Sequence, residues 1–388
     1  MAKQDKVLNK INYNSGQTTP LGTKPNDECY TSMQDIVNEL SRWEKKFEGK
    51  NIVCPCDWDI LDESDITKGV YSIRIEFSED GMHGHTNTVK SVQYTLFDFL
   101  DDDDQTMKTV KVSEKEIDHF LKERVKCNFI RTFVEKANEW KIKSITASGY
   151  NPATGKGIPF QEVDYGDYDI CVTNPPFSLY GEFLDTLFKA GIDFIVLAPF
   201  LNRVNPSIGL PLMLRKCYLG YGRHLNLNFY NPEVKNKFKT MTVGVDWITT
   251  FKDAQLELNK TRLKNGFNYE LYKNDYPQME NMTMKDGTHP IRVNRYTAIP
   301  DDYTGWIFCS VGALDAISFE EFEWYLTNAA GYYNNINPSF NPFSHRSFDE
   351  MVMAQSKIDF SGMTQPQRRA ACKATGESGF HGIVIRRK

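Results

Sequence analysis

No run of about 18 consecutive apolar residues, the length a membrane-spanning helix needs, occurs in this 388-residue chain. Its first ten residues, Met1 to Lys10, are polar and lack the apolar stretch of a secretory signal. A soluble, cytoplasmic protein is therefore expected. Clustered cysteines are missing too. The eight, at positions 29, 54, 56, 127, 171, 217, 309 and 372, are scattered as in a reduced protein that uses them as small core residues. Only Cys54 and Cys56 are close together, and no second Cys/His pair at zinc-finger spacing follows them. His83 and His85, beside Gly81 and Gly84, read as a hairpin tip, so no metal is expected. A net basic charge is also absent: the formal value is −5, which leaves polyanion binding to a local patch. Finally, there is no glycine-rich nucleotide loop. The turn after the first buried strand is Cys54-Pro55-Cys56, which argues against both dinucleotide oxidoreductases and P-loop enzymes.

What is present suffices for one large core or two moderate ones, at 40% apolar residues. The charges are segregated. Asp98 and Asp101 to Asp104 form an acidic run that would repel phosphate, whereas Arg368, Arg369, Lys373, Arg386, Arg387 and Lys388 face only Glu377 near the C-terminus. A polyanion would bind on that C-terminal side, with Arg368 and Arg369 as phosphate contacts. Asn334, Asn335 and Asn337 beside Tyr332 and Tyr333 invite a base-reading role, but they read first as a polar loop.

Residues 1–26 are polar and form an arm. Met33, Ile36, Val37, Leu40, Trp43 and Phe47 then recur at helical spacing, with Thr31 or Ser32 as cap and Gly49 as stop. A short strand over 51–54 ends at Asp57. Val70 to Phe77 and Val89 to Phe99 suggest a hairpin inserted as a decoration within about 58–124. A helix over about 115–139, strands over 142–147 and 168–173, a helix from Leu179 to Phe188 and a strand over 194–197 follow. This alternation argues for a mainly parallel, three-layer α/β sheet. Strands are expected over 224–230, 243–250 and 268–272, then a strand at Trp306 to Cys309 and a helix near 319–328.

Chemistry is concentrated where the strand Asp169 to Thr173 runs into Asn174-Pro175-Pro176-Phe177. Open α/β sheets hold ligands at the carboxyl ends of their strands. An exocyclic amine has a lone pair delocalised into its ring. The Asn174 side-chain oxygen and the Pro175 carbonyl would accept its two hydrogens and restore its nucleophilicity toward a sulfonium methyl. Proline fixes φ and brings no competing N–H, and the Phe177 ring would stack on a base drawn out of a duplex. The rival reading is a rigid strand-to-helix turn with Phe177 in the core. S-adenosyl-L-methionine, which has no pyrophosphate, needs no glycine loop.

Three segments carry a resemblance. Asn174 to Leu179 matches an Asn-Pro-Pro-Phe-Ser-Leu run, Asp27-Glu28-Cys29-Tyr30-Thr31 is similar to an Asp-Glu-Phe-Tyr-Thr segment, and Cys54-Pro55-Cys56-Asp57 to a Cys-Asn-Cys-Asp turn. In that order and spacing the chain resembles the EcoRI-type adenine-specific DNA methyltransferases. The resemblance implies a Rossmann-like methyltransferase domain over 27–254 and a DNA target-recognition region over 255–388. It implies that Tyr30 and Thr31 lie against the methionine end of S-adenosyl-L-methionine and that Cys54, Pro55, Cys56 and Asp57 hold its amino acid part. Ser148 and Tyr150 would lie near the ribose, Asp164 or Asp167 at the cofactor's adenine, and Asn174, Pro175, Pro176 and Phe177 at the target adenine. The implied partners are double-stranded DNA and a restriction endonuclease acting separately, and a monomer suffices if the C-terminal region clasps DNA alone. Cys29 replaces the family's Phe and removes one aromatic wall. Cytosine-N4 or protein-glutamine methylation, or a DNA-binding relative without catalysis, would use the same residues.

Overall fold

The computed structural model describes residues 31–57, 70–78, 89–97, 107–123, 125, 127–148, 150–151, 156–229, 241–260, 266–280, 282–345, 362–364, 367 and 382–388. The N-terminal arm, Cys29, Tyr30, the tip with His83 and His85, the acidic run at 98–104 and Arg368, Arg369 and Lys373 lie outside the described residues.

Helix α1 (Met33–Leu40) starts at Ser32, whose Oγ accepts the Asp35 N–H at 3.2 Å. It buries Ile36 and Leu40, continues through a 3-10 turn at Ser41–Trp43 and one α-turn at Glu44–Phe47, and ends before Gly49. The φ of +70° there is a left-handed conformation that costs glycine little. One buried position on α1 is charged. Glu39 is 3% exposed and accepts three hydrogen bonds, from Trp43 Nε1 at 2.8 Å, Tyr221 N at 3.0 Å and Gly222 N at 2.6 Å.

The chain then lays down β1 (Asn51–Cys54), β2 (Val70–Phe77), β3 (Val89–Phe97), β4 (Met107–Lys111), α2 (Glu114–Glu123), α3 (Asn128–Lys136), β5 (Ser144–Ser148) and the two-residue strands β6 (Tyr150–Asn151) and β7 (Lys156–Gly157). After these come β8 (Ile170–Thr173), α4 (Tyr180–Ala190), β9 (Asp193–Pro199), α5 (Pro206–Met213), β10 (Tyr218–Leu219), β11 (Leu225–Phe229) and β12 (Met241–Thr249). The main sheet has the order β10-β12-β9-β8-β1-β5-β2-β3-β4, with β11 paired to β12. Strand β1 lies between β5 and β8 and is parallel to both, and β9 is parallel to β8. Strand β12 runs antiparallel to β9, and β11 antiparallel to β12. Every residue of β5 and β8 is buried, as central parallel strands require. A mixed sheet of this topology flanked by helices is the expected Rossmann-like methyltransferase fold.

Two expectations for this region need correction. The inserted hairpin is no separate decoration, because β2 pairs antiparallel with β5 from Ser72↔Ser148 to Glu76↔Ser144 and extends the main sheet. Without it the edge of β5 would present unpaired backbone groups, and the alternation that buries Ile73, Ile75 and Phe77 fits a sheet with one covered face. The helix over 115–139 is two helices. Cys127 takes an extended conformation (φ −58°, ψ 125°) and caps α3, so the apolar stripe is interrupted.

Clustering of the backbone separates two compact units. One holds the described residues within Asn14–Phe200 and Leu219–Phe251, the other those within Leu201–Tyr218 and Lys252–Lys388. The second contains α5, α6 (Asp253–Lys260), β13 (Ile291–Val293), β14 (Ile307–Cys309), β15 (Phe322–Leu326), α7 (Ala330–Ile336) and β16 (Ile383–Arg387), with a sheet in the order β13-β14-β16-β15. The helix expected near 319–328 is strand β15. Phe322, Trp324 and Leu326 are buried alternately, and pairing with β16 decides a segment whose apolar residues also fit a helix. The strand expected at 268–272 is a turn in which Asn268 Oδ1 accepts the Leu271 N–H at 2.9 Å. Asn334 and Asn335 lie on α7, not in a loop. Arg386 and Arg387 belong to β16 and pair with Glu323 and Glu321. These two guanidiniums are therefore engaged within their own unit, contrary to their expected place in a basic, polyanion-binding tail.

Candidate active site at the carboxyl ends of β1, β5 and β8

Because β1, β5 and β8 are parallel neighbours, the turns that follow them converge. Strand β1 runs into Pro55, Cys56 and Asp57. The Asp57 N–H donates to the carbonyl of Ser148, the last residue of β5, at 3.2 Å. Asp57 is 6% exposed, and its carboxylate accepts from Cys127 Sγ at 2.7 Å on Oδ1 and from Thr173 Oγ1 at 3.3 Å on Oδ2. Thr173 is the last residue of β8 and immediately precedes Asn174. The next residue of α3 completes the assembly, since Asn128 Nδ2 donates to the Thr31 carbonyl at 2.7 Å. Thr31, Asp57, Ser148 and the start of the Asn-Pro-Pro-Phe turn, which lie far apart in sequence, are thus joined by hydrogen bonds. Cys127 and Asn128 are available for this because the backbone at Cys127 turns out of helical geometry, while its carbonyl still accepts the Arg131 N–H at 2.9 Å.

The surroundings of Asp57 suit a polar ligand. The hydroxyls of Thr31 and Ser148 are buried and find no hydrogen-bond partner among the described residues, which leaves capacity that folded proteins rarely leave unused. Burial, and after it the charge of Asp57, pushes the Cys54 thiol well above its ordinary range. Burial likewise raises that of Cys171. Both remain neutral thiols, and the negative charge beside them is that of Asp57. Residues that could meet a cofactor's cationic amino acid part are therefore Asp57 with the backbone of its turn, and Thr31 and Ser148 through their hydroxyls.

In the Asn174 to Phe177 turn, Pro175 is buried while Asn174, Pro176 and Phe177 are partly exposed. Pro176 (φ −62°, ψ 120°) caps a 3-10 turn over Phe177–Leu179, its carbonyl accepts the Leu179 N–H at 3.1 Å, and α4 follows directly. The Phe177 ring is thus outside the buried core that the rival reading requires. Asp164 Oδ1 accepts the Gly166 N–H at 3.0 Å and caps the 3-10 turn Tyr165–Asp167 that leads into β8. Neither Asp164 nor Asp167 takes part in the hydrogen bonds that join Thr31, Asp57, Ser148 and Thr173. Tyr150 begins β6, directly after β5 and Gly149, and Tyr30 lies outside the described residues. Sequence reasoning missed Cys127, Asn128 and Thr173. A usable signal was Asn128, a polar, cap-forming residue type inside an otherwise continuous apolar stripe.

A family model described as "Adenine-specific methyltransferase EcoRI" matches residues 165–388, which include the Asn174 to Phe177 turn. The chain is 23% identical over 313 residues to the type II methyltransferase M.MgeORF184P of Mycoplasma genitalium, covering 77% of this chain and 82% of that protein. It is 24% identical over 321 residues to the type II methyltransferase M.EcoRI of Escherichia coli, covering 76% and 84%. With the type II methyltransferase M.MpnI of Mycoplasma pneumoniae it shares 26% identity over 174 residues, 40% of this chain and 50% of that protein. No solved structure matches the chain. Its sheet topology, the turn at the end of β8 and the match across more than half its length together place it in one family: the chain belongs to the EcoRI-type adenine-specific methyltransferases, DNA methyltransferases that use S-adenosyl-L-methionine.

Proposed function

We propose that this protein methylates the N6 amino group of adenine at a specific sequence in duplex DNA. The bound cofactor supplies an electrophilic sulfonium methyl. Asp57, Thr31 and Ser148 hold its polar groups, together with Tyr30, the backbone of Cys54 to Cys56, and Tyr150. Asp164 or Asp167 accepts from its adenine amine. Asn174 Oδ1 and the Pro175 carbonyl accept the two amine hydrogens of the target base, Pro176 keeps the turn rigid, and Phe177 stacks on the extrahelical ring. Residues 27–254 would form the catalytic domain and 255–388 the target-recognition region, with residues 1–26 as an arm. A cognate endonuclease would act as a separate protein on the same site.

The observation that carries this reading is the Thr173 to Asp57 hydrogen bond of 3.3 Å, which ties the residue before Asn174 to the acid proposed for the cofactor. The test is to express the protein in a host without adenine methylation and to map modified bases in its DNA. N6-methyladenine in one recurring sequence is expected. N4-methylcytosine instead, or transfer to a protein amide alone, would overturn the assignment.

The same cluster yields a second expectation. Cys127→Ala removes a hydrogen bond to a buried carboxylate, an interaction of about 1.5 kcal/mol. The dissociation constant for S-adenosyl-L-methionine, measured by titration calorimetry, should rise roughly tenfold, with the chemical step almost unchanged at saturating cofactor. Cys127→Ser should recover most of the affinity. Equal binding by wild type and Cys127→Ala would remove Cys127 from the site.

A further inference from the structure

The loop between β10 and β11 is held residue by residue. Glu39 accepts from the backbone of Tyr221 and Gly222 at 3.0 and 2.6 Å, and Arg223 Nε donates to the Gly220 carbonyl at 2.8 Å. Asp246, fully buried, accepts the His224 N–H at 2.8 Å. The residue so braced has a φ of +48°, a left-handed conformation that is unfavourable for any residue with a Cβ and that glycine would adopt freely. Its side chain nevertheless has a defined place. The His224 ring stacks on Phe200 with centroids 3.8 Å apart and planes within 6°, and His224 is exposed.

The ladder shows where this pair stands. Thr173 is level with Val196 of β9, and Pro199 with Val245 of β12. Phe200 therefore lies three residues beyond the level of Asn174 in the carboxyl direction, about 10 Å, on the side of the sheet where the methyl-transfer turn lies. Gly244 pairs with Asn226 and sits next to Phe200 in the row.

We infer that the exposed His224 side chain, stacked on Phe200, forms a stacking surface for a nucleobase of the DNA beside the methylated position. The inference rests on the proposed DNA methylation. Strain retained at a braced, solvent-facing residue calls for a function of the side chain, and DNA is the partner of this family. A flat, rigid two-ring stack offers a base a surface that needs no ordering on binding, and such base stacking is tolerant of sequence.

The test uses the full-length protein and a duplex carrying the sequence found by mapping, with His224→Gly, His224→Trp and His224→Lys variants. Glycine removes the ring while relieving the backbone, so the His224→Gly protein should melt no lower than wild type and bind S-adenosyl-L-methionine equally. Its affinity for the duplex, by fluorescence anisotropy, should fall roughly tenfold, and 2-aminopurine at the position next to the target should lose the quenching that stacking produces. Tryptophan should restore both readouts and lysine neither. Undiminished duplex binding by His224→Gly, or rescue by lysine and not by tryptophan, as a phosphate contact would give, overturns the inference. If the wild-type protein neither binds nor methylates any DNA, the underlying reading fails and takes this inference with it. An active wild type with an indifferent His224→Gly variant defeats the inference alone.

Discussion

Replacing Asn174 with alanine is expected to slow methyl transfer by about 100- to 1,000-fold, the usual loss on removing one preorganised polar group aimed at developing charge. The amine of adenine becomes cationic as it attacks, and an amide oxygen held beside it stabilises that charge more than it stabilises the bound ground state. The loss should therefore appear in the single-turnover rate with saturating DNA and cofactor. Asn174 is partly exposed and stands at the end of a fully buried strand, so the truncation leaves β8 and the Thr173 to Asp57 bond in place. Binding of S-adenosyl-L-methionine should stay within a factor of two or so. A variant that transfers methyl at the wild-type rate would show that the turn is merely structural. Asn174→Gln, with the same group on a longer arm, should not rescue the rate, because misplacement by about 1 Å can cost as much as deletion.

The second large effect concerns stability. Glu39→Ala strands three donors, the indole N–H of Trp43 and the backbone N–H groups of Tyr221 and Gly222, in a site where the Trp43 and Tyr221 rings pack 4.7 Å apart. A loss of about 2 to 4 kcal/mol is expected, read as a lower urea midpoint. The pH dependence has a definite sign. Burial raises the Glu39 carboxyl above its ordinary value of 4.5, outweighing the hydrogen bonds from Trp43, Gly222 and Tyr221. Between the ordinary and the raised value the native state holds a proton that the unfolded chain has released. Wild-type stability contributed by this group is thus greatest below 4.5 and declines as pH rises through the window. The gap between wild type and Glu39→Ala should accordingly be wider at about pH 4 than at about pH 7. A gap that widens toward neutral pH would mean that the three hydrogen bonds, and not burial, govern Glu39.

Much of the unit that carries the main sheet was legible in the chain because its signals are local. The apolar runs of β1, β8 and β9, the stripe of α1 with its Ser32 cap and Gly49 stop, and the stripe of α4 report burial and capping directly. The segment Phe322 to Leu326 was misread because a five-residue run with apolar residues at alternate positions, flanked by further apolar residues, fits either period; pairing with β16, some sixty residues away, settled it. The break at Cys127 escaped for a related reason. Cys127 there donates to Asp57, 70 residues away, and no periodicity carries such information.

The amino-acid sequence by itself determined the class of fold, through alternating buried strands and amphipathic helices, and the class of chemistry, through an Asn-Pro-Pro-Phe turn with no glycine loop upstream. It could do so because periodicity and proline geometry act within a few residues. Only the tertiary structure decided that β2 joins the main sheet, that Cys127 and Asn128 bind Thr31 and Asp57 into one cluster, and that Arg386 and Arg387 are paired on β16. Only there, too, does a strained His224 come to lie flat on Phe200. Each of these depends on hydrogen bonds, ion pairs or ring contacts between residues remote in the chain, and such partners are chosen when strands take their register and the sheet brings their ends together.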